Sequence, residues 1–83
     1  MSAHKERIRS FLSQHLRGGG FQDDDDLFRN GYANSLFAME LVLFVEREFG
    51  VTVGNADLDP DNFRSVNAVA GFVERKIGRD EGL

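Results

Sequence analysis

Three stretches of the chain repeat apolar residues at the spacing of an α-helix. The first runs from about Ala3 to Arg17, and its apolar positions are interrupted by charged and polar ones: Ile8, Phe11, Leu12 and Leu16. This spacing places the apolar residues on one side of an amphipathic helix. The run Gly18-Gly19-Gly20 follows and ends the helix, because glycine is the usual residue just past a helix end.

The second and third predicted helices have recognisable ends. The second covers Ser35–Phe49 and stops at Gly50. The third is capped by Ser65 and extends over Val66 to about Ile77. Its inward-facing residues have helical spacing and are Val66, Val69, Phe72, Val73 and Ile77.

The segments between these helices differ in character. Residues 57–63 predict one short helical turn entered through Pro60, because proline is tolerated at a first helical position. The long loop Phe21–Asn34 has no regular pattern, and loops of this length are uncommon and often functional. We expect Phe21, Leu27 and Phe28 to fix it to the core; its apolar residues are Phe21, Leu27, Phe28 and Tyr32.

Signals for β-strands are nearly absent. The expected fold is therefore all-α: a small bundle of three main helices plus one short helix, with a long loop between the first and second helices. We expect one domain over residues 1–83, with an ordered core over about 3–77.

Length, charge and the absence of cysteine narrow the function classes. A chain of 83 residues holds one small domain. Without cysteine there are no disulfides, thiolate zinc sites or cysteine nucleophiles. The net charge of −4 disfavours a nucleic-acid partner. Because no apolar run approaches the ~20 residues of a membrane span, we expect a soluble cytoplasmic protein that binds no membrane. We also expect it to be a monomer.

The second predicted helix has more apolar residues than one core face can cover. Of the fourteen residues from Leu36 to Phe49, ten are apolar. One face carries the residues expected in the core, which are Ala38, Leu41, Val42, Val45 and Phe49. The opposite side carries an apolar strip beside charged residues: Leu36, Met39 and Leu43, with Glu40, Glu46 and Arg47. Such strips tend to be binding surfaces, although a loop folded over this one is the alternative.

Ser35 lies at the N-terminus of this helix, where two roles are open. A serine in this position commonly caps free backbone N–H groups. Alternatively, a phosphodiester on its hydroxyl would lie against the positive end of the helix dipole, at one end of the apolar strip.

The segment around Ser35 resembles the acyl carrier protein family. The similar stretches are Gly31-Tyr32-Ala33-Asn34-Ser35-Leu36, then Met39-Glu40-Leu41-Val42, Glu46-Arg47-Glu48-Phe49-Gly50 and Phe63-Arg64-Ser65-Val66-Asn67-Ala68-Val69. They resemble the family's Gly-x-Asp-Ser-Leu signature, the helix after it and the entry to its last helix. The resemblance spans about Ile8 to Ile77 and also includes Asp24 to Phe28.

The resemblance implies a single acyl carrier domain rather than an enzyme. A phosphopantetheinyl transferase would attach 4′-phosphopantetheine from coenzyme A to Ser35, and the thiol of this arm would hold an acyl thioester. An acyl-loading enzyme and downstream synthase or tailoring enzymes would be the other partners. The residues implied in partner recognition flank Ser35 or follow it along one face: Asn34, Leu36, Met39, Glu40, Leu43, Glu46 and Arg47.

Three positions depart from the pattern of fatty-acid carriers. Asn34 stands where the family usually has Asp, Phe37 where many such carriers are acidic, and Arg47 within an acidic rim. The segment 34–39 is more similar to discrete carriers of bacterial secondary metabolism, which implies a small three-carbon or malonate-type unit for polyketide-type assembly. Large phenylalanines would also leave little volume for a long acyl chain: Phe11, Phe28, Phe44, Phe49 and Phe72. A peptidyl or D-alanyl carrier and a helical interaction module without a prosthetic group remain alternatives.

Other candidate sites carry weaker signals. Asp57, Asp59 and Asp61 have the spacing that opens an EF-hand loop, but Asn62 and Ala68 replace its required glycine and glutamate. The acidic run 23–26 is typical of a solvated loop or a docking patch. His4 and His15 lie about three turns apart, too far to share a metal ion. No nucleophile elbow surrounds Ser35, so we expect no catalytic activity. The spacing of the aspartates and histidines leads us to expect no metal.

Overall fold

A computed structural model of the chain describes residues 3–16, 21–29, 31 and 34–81. Within these ranges the regular structure is entirely helical: α1 covers Ala3–His15, α2 covers Ser35–Phe49, α3 covers Pro60–Phe63 and α4 covers Val66–Glu81. A 3-10 turn, Asn55–Asp57, precedes α3. The predicted all-α bundle of three main helices and one short helix is confirmed. Glycines 18–20 and Tyr32 lie outside the described residues.

Side chains and glycine make several of the helix ends in the predicted places. Gly50 ends α2 with φ +67°, a left-handed conformation that favours glycine, and its N–H donates to the Glu46 carbonyl. Ser65 Oγ accepts the Ala68 N–H at 3.0 Å and so caps α4. The predicted end of α4 near Ile77 is too early, because the helix continues for one more turn to Glu81.

The core lies between α1, α2 and α4. It is formed by buried apolar side chains of the helices and loops: Ile8, Leu12, Leu16, Phe21, Leu27, Phe37, Leu41, Val42, Val45, Val51, Phe63, Val66, Val69, Ala70, Phe72 and Val73. Among the phenylalanines expected to fill the interior, only Phe72 is buried. The other four lie half-buried at the edge of this core: Phe11, Phe28, Phe44 and Phe49. They therefore occupy space at the edge of the bundle rather than at its centre.

The loop before α2 is fixed to both neighbouring helices. Phe21 and Leu27 are buried as predicted, and Phe28 is half-buried against the core. The Leu27 N–H donates to the Arg64 carbonyl at 2.7 Å, and the Asn67 N–H donates to the Asp23 carbonyl at 3.1 Å. These two backbone bonds join the loop to the entry of α4.

The acidic run of this loop is structural rather than merely solvated. The Asp23 carboxylate accepts from Arg9 at 2.6 Å and lies 3.1 Å from Lys5 Nζ. Asp24 accepts from the Asn67 side chain. The other two close local turns, since Asp25 accepts the Gln22 N–H and Asp26 accepts the N–H groups of Phe28 and Arg29. The run is exposed or half-buried, as expected of a solvated loop, but each carboxylate also has a bonding partner.

The three aspartates with EF-hand spacing also have structural partners. Asp57 forms a half-buried ion pair with Lys76 of α4 at 3.0 Å. Asp59 caps α3 by accepting the Asp61 N–H, and Asp61 pairs with Arg64. No cluster able to hold a metal ion occurs in the part of the chain that the structure describes. Across those same ranges, no helix is both long and apolar enough to cross a membrane.

Candidate functional site

Ser35 is the first residue of α2, and its side chain is exposed. The residue that caps the helix is Asn34, whose side-chain oxygen accepts the Phe37 N–H at 2.9 Å. Of the two roles left open for Ser35, capping is therefore not the one it has in the structure. Asn34 has the extended backbone of an N-cap residue (φ −131°), whereas the helix already includes Ser35.

In this arrangement the Ser35 hydroxyl does not take part in the capping hydrogen bond. It has no hydrogen-bond partner among the residues that the structure describes. The first turn of α2 contains no acidic residue. The first N–H groups of a helix have no intrahelical acceptor, and the helix dipole makes this end positive. An anion attached to Ser35 Oγ would thus meet free N–H donors and no repelling carboxylate within that turn.

A cleft of about 300 Å³ opens beside Ser35, between α2 and the α3 region. Its lining is largely apolar and comes from four parts of the chain: Phe28, Ser35, Ala38, Met39, Leu58, Asp59, Pro60 and Phe63. The cleft is open to solvent, so it offers a short apolar surface rather than an enclosed tunnel.

The apolar strip on α2 is exposed as predicted. The exposed fractions of Leu36, Met39 and Leu43 are 72%, 55% and 53%. The alternative, a loop folded over the strip, does not occur among the described residues. Leu58, in the turn before α3, adds a fourth exposed apolar side chain at 47%. The sequence analysis missed Leu58; its signal was a lone leucine between two aspartates just before Pro60.

The charged residues beside this strip are not equally available. Glu40 and Arg47 are exposed, and neither forms an ion pair with any residue that the structure describes. Glu46 is half-buried, and its carboxylate accepts the Val53 N–H at 2.8 Å. Glu48 pairs with Arg7 of α1 at 2.7 Å. Among the described residues of this face of α2, Glu40 and Arg47 are thus the exposed acid and base without an ion-pair partner.

The site resembles known proteins that carry a covalent arm. The model of the phosphopantetheine attachment site family matches residues 6–73. The chain is 35% identical over 76 residues to the D-alanyl carrier protein of Leuconostoc mesenteroides, covering 89% of this chain and 96% of that protein. It is 31% identical to aminoacyl carrier protein 2 of Bradyrhizobium diazoefficiens, covering 90% of this chain and 83% of that protein. It is also 31% identical to the acyl carrier protein of Thermotoga maritima, covering 87% of this chain and 89% of that protein.

Fold, site and comparisons together define a phosphopantetheine-dependent carrier. The chain belongs to the acyl carrier protein family, within which relatives are named for acyl, D-alanyl and aminoacyl cargo. Membership implies a covalently attached 4′-phosphopantetheine, and interaction with a phosphopantetheinyl transferase and with loading or synthase enzymes. The residues present fit that group, since α2 begins with an exposed hydroxyl that has no described hydrogen-bond partner and lies beside an open apolar cleft.

Proposed function

We propose that Ser35 is the attachment point of 4′-phosphopantetheine and that the protein is a carrier without catalytic activity. The observation that carries this proposal is that the cap of α2 and the exposed hydroxyl belong to two different residues. Because Asn34 makes the cap, the Ser35 hydroxyl is exposed for modification without disturbing the helix end. No other serine among the described residues combines the family's signature with a helix N-terminus: Ser10 and Ser13 lie within α1, and Ser65 caps α4 with its own hydroxyl.

The prosthetic group supplies a flexible arm whose thiol holds an acyl group as a thioester. The residues of this chain hold the root of the arm in place. The free N–H groups at the start of α2 would face the phosphodiester, and the helix dipole favours its negative charge. Met39, Leu58 and Phe63 line the cleft against which the first part of the arm would rest.

We propose a small acyl unit as the cargo. The cleft beside Ser35 holds about 300 Å³ and is open, so it cannot enclose a long chain. Protection of the thioester from hydrolysis should therefore be similar for a long fatty acyl group and for a three-carbon group. Strong protection of the long chain alone would show an enclosed path and contradict this proposal.

Two kinds of small unit remain, and each has a supporting observation. Asn34, Phe37 and Arg47 support a malonate-type or other three-carbon unit for polyketide-type secondary metabolism rather than fatty-acid synthesis. The likeness to carriers named D-alanyl and aminoacyl supports an amino-acid cargo such as D-alanine.

The cargo test uses the holo protein and two loading reactions. One contains an adenylating enzyme specific for D-alanine with ATP, and the other a malonyl transferase with malonyl coenzyme A. Intact-protein mass spectrometry shows which unit is added. A Ser35→Ala sample in each reaction is the control for loading elsewhere. If neither enzyme loads the holo protein but a long-chain acyl transferase does, a small cargo is contradicted.

The partner surface we propose begins at Ser35 and follows the exposed side of α2. Leu36, Met39 and Leu43 would form its apolar centre, and Glu40 would attract a basic group near the arm. Asn34 acts here by fixing the first turn of the helix. Glu46 contributes by holding the segment after α2 through Val53. A protein that docks through this surface but never receives the arm would instead be a simple interaction module.

A further inference from the structure

A second surface groove, with an aromatic floor and charged borders, lies between α1 and α2, next to the exposed strip. This α1–α2 groove has a volume of about 340 Å³. Its lining is shared by the two helices: Phe11, His15, Glu40, Leu43, Phe44, Arg47 and Glu48. It is distinct from the cleft beside Ser35, with which it has no lining residue in common.

The floor of the α1–α2 groove is a stack of aromatic rings at the edge of the core. The rings of Phe11 and Phe44 lie 4.1 Å apart between centroids and are almost parallel. The centroid of the His15 ring lies 4.2 Å from that of Phe11. Because Phe11 and Phe44 are only half-buried and Leu43 is exposed beside them, the groove presents apolar surface to solvent.

Charges of opposite sign border the α1–α2 groove. At one border of the groove, the charge of Glu48 is already paired with that of Arg7, at 2.7 Å. Glu40 and Arg47, in contrast, form no ion pair within the described ranges. A partner that fills the groove with an apolar side chain would therefore complement it best by placing a cation near Glu40 and a carboxylate near Arg47.

The position of the groove relative to Ser35 indicates the kind of partner. The transferase that installs the arm acts at the Ser35 hydroxyl itself, so it must sit directly on the start of α2. A protein interface of usual size covers about 800 Å² on each partner, a patch roughly 28 Å across. With a rise of 1.5 Å per residue, Glu40 lies about 8 Å and Arg47 about 18 Å from Ser35 along the helix. A patch that includes Ser35 and the exposed strip thus reaches the groove.

We propose that the phosphopantetheinyl transferase docks across the exposed strip and inserts an apolar side chain into the α1–α2 groove, so that its interface includes α1. This rests on the proposed attachment at Ser35. The continuous surface of Leu36, Met39 and Leu43 leads from Ser35 to the groove. Glu40 and Arg47, which form no ion pair with any described residue, orient the enzyme on it.

The first experiment maps the contact directly. Isotopically labelled apo protein is titrated with a broad-specificity phosphopantetheinyl transferase, without coenzyme A, and followed by nuclear magnetic resonance. We expect the signals of Phe11, His15 and Leu43 to shift together with those around Ser35. Shifts confined to residues 35–39 and Leu58 would overturn the proposal. Shifts of the groove signals with protein concentration alone would assign it to a second copy of this chain and would also overturn it.

The second experiment measures arm installation in matched variants. His15→Ala should raise the KM for the carrier about three- to tenfold with little change in kcat, because it removes docking surface and not the acceptor hydroxyl. Gln14→Ala, an exposed neighbour on α1 outside this groove, should match the wild type. On α2, Leu43→Ala should raise the KM by a similar factor. An unchanged KM for both His15→Ala and Leu43→Ala would overturn the proposal.

A charge variant separates orientation from simple apolar contact. Arg47→Glu should raise the KM on the order of tenfold, and more at low salt than at high salt. Arg75→Glu makes the same charge change on α4, where Arg75 contacts Asn62, and should leave the KM within about twofold of the wild type. A lower KM for Arg47→Glu would show that the enzyme presents a cation there and would contradict the proposed charge pattern.

The outcomes distinguish this proposal from the function on which it rests. If the transferase never modifies the wild type, attachment at Ser35 fails. If it modifies the wild type at Ser35 and treats the groove variants identically, attachment stands and the docking proposal alone fails. Circular-dichroism melts of every variant identify any change that acts through folding.

Discussion

The side-chain oxygen of Asn34 accepts the Phe37 N–H at 2.9 Å and caps α2, one residue before Ser35. The cap and the proposed attachment point are thus separate residues. Asparagine and aspartate are about equally good N-caps, so Asn34 preserves this role where the family usually has Asp. The departure at this position leaves the geometry of the site intact.

The first prediction concerns this cap. Asn34→Ala should lower the free energy of unfolding by about 1 kcal/mol, because a helix N–H loses its acceptor. Asn34→Asp should retain the cap and stay within about 0.5 kcal/mol of the wild type. Urea unfolding followed by circular dichroism measures both. A larger loss for Ser35→Ala than for Asn34→Ala would contradict the assignment of the cap.

The two faces of α2 should respond differently to truncation. Leu41 is fully buried, so Leu41→Ala should cost about 2–5 kcal/mol of stability. Met39 is 55% exposed, so Met39→Ala should cost less than about 1 kcal/mol and instead weaken arm installation. Thermal melts and transferase kinetics on the same samples test this. A Met39→Ala variant that melts as low as Leu41→Ala but reacts normally would place Met39 in the core.

Glu46 should affect stability more than docking. Its carboxylate accepts the Val53 N–H at 2.8 Å and holds the segment after α2. Glu46→Ala should lose about 1–2 kcal/mol, whereas Glu46→Gln keeps a neutral acceptor and should lose less. Denaturant unfolding gives the stabilities, and the KM for the transferase should stay near that of the wild type in Glu46→Gln. A strong rise in this KM with unchanged stability would show instead that Glu46 contacts the transferase.

The contacts of Asp23 predict a specific pH dependence. The hydrogen bond from Lys5, together with the charges of Lys5 and Arg9, holds the pKa of Asp23 below its ordinary value of 3.8, against the opposing effect of desolvation. The folded state therefore favours the carboxylate. Its contribution to stability is present above the unfolded pKa and is lost as the pH falls through the folded pKa.

Asp23→Asn tests this dependence. The variant should be less stable than the wild type at about pH 7, and the difference should shrink as the pH falls well below 4. Unfolding in urea at several pH values measures it. Asp61→Asn is the control, because its pair with Arg64 is exposed and joins neighbours in sequence. A difference between Asp23→Asn and the wild type that stays constant down to about pH 2 would contradict the role of the carboxylate charge.

The helices and the exposed strip could be predicted because they depend on local periodicity. Glycine and proline mark element ends through backbone sterics, so the bounds of α2 and the start of α3 are confirmed. The same spacing separated Leu41 and Val45 from Met39 and Leu43 on α2. The end of α4 was predicted too early because the apolar spacing stops at Ile77, where Gly78 follows, yet the helix continues through this glycine to Glu81.

The long-range contacts could not be predicted from the pattern. The bonds of Asp23 to Lys5 and Arg9 depend on how the loop crosses α1, which no local signal specifies. Capping by Asn34 rather than Ser35 depends on where the helix begins within one residue, and adjacent polar residues leave that open. Leu58 joins the exposed surface only through the packing of the segment before α3.

The central claim is that Ser35, and no other residue, carries the arm. The most direct test incubates the wild type and Ser35→Ala with coenzyme A and a phosphopantetheinyl transferase, followed by intact-protein mass spectrometry and peptide mapping. We expect the wild type to gain one phosphopantetheine on the peptide containing Ser35, and Ser35→Ala to remain unmodified while melting at nearly the same temperature. Modification of Ser35→Ala, or a wild type that stays unmodified, would contradict the account.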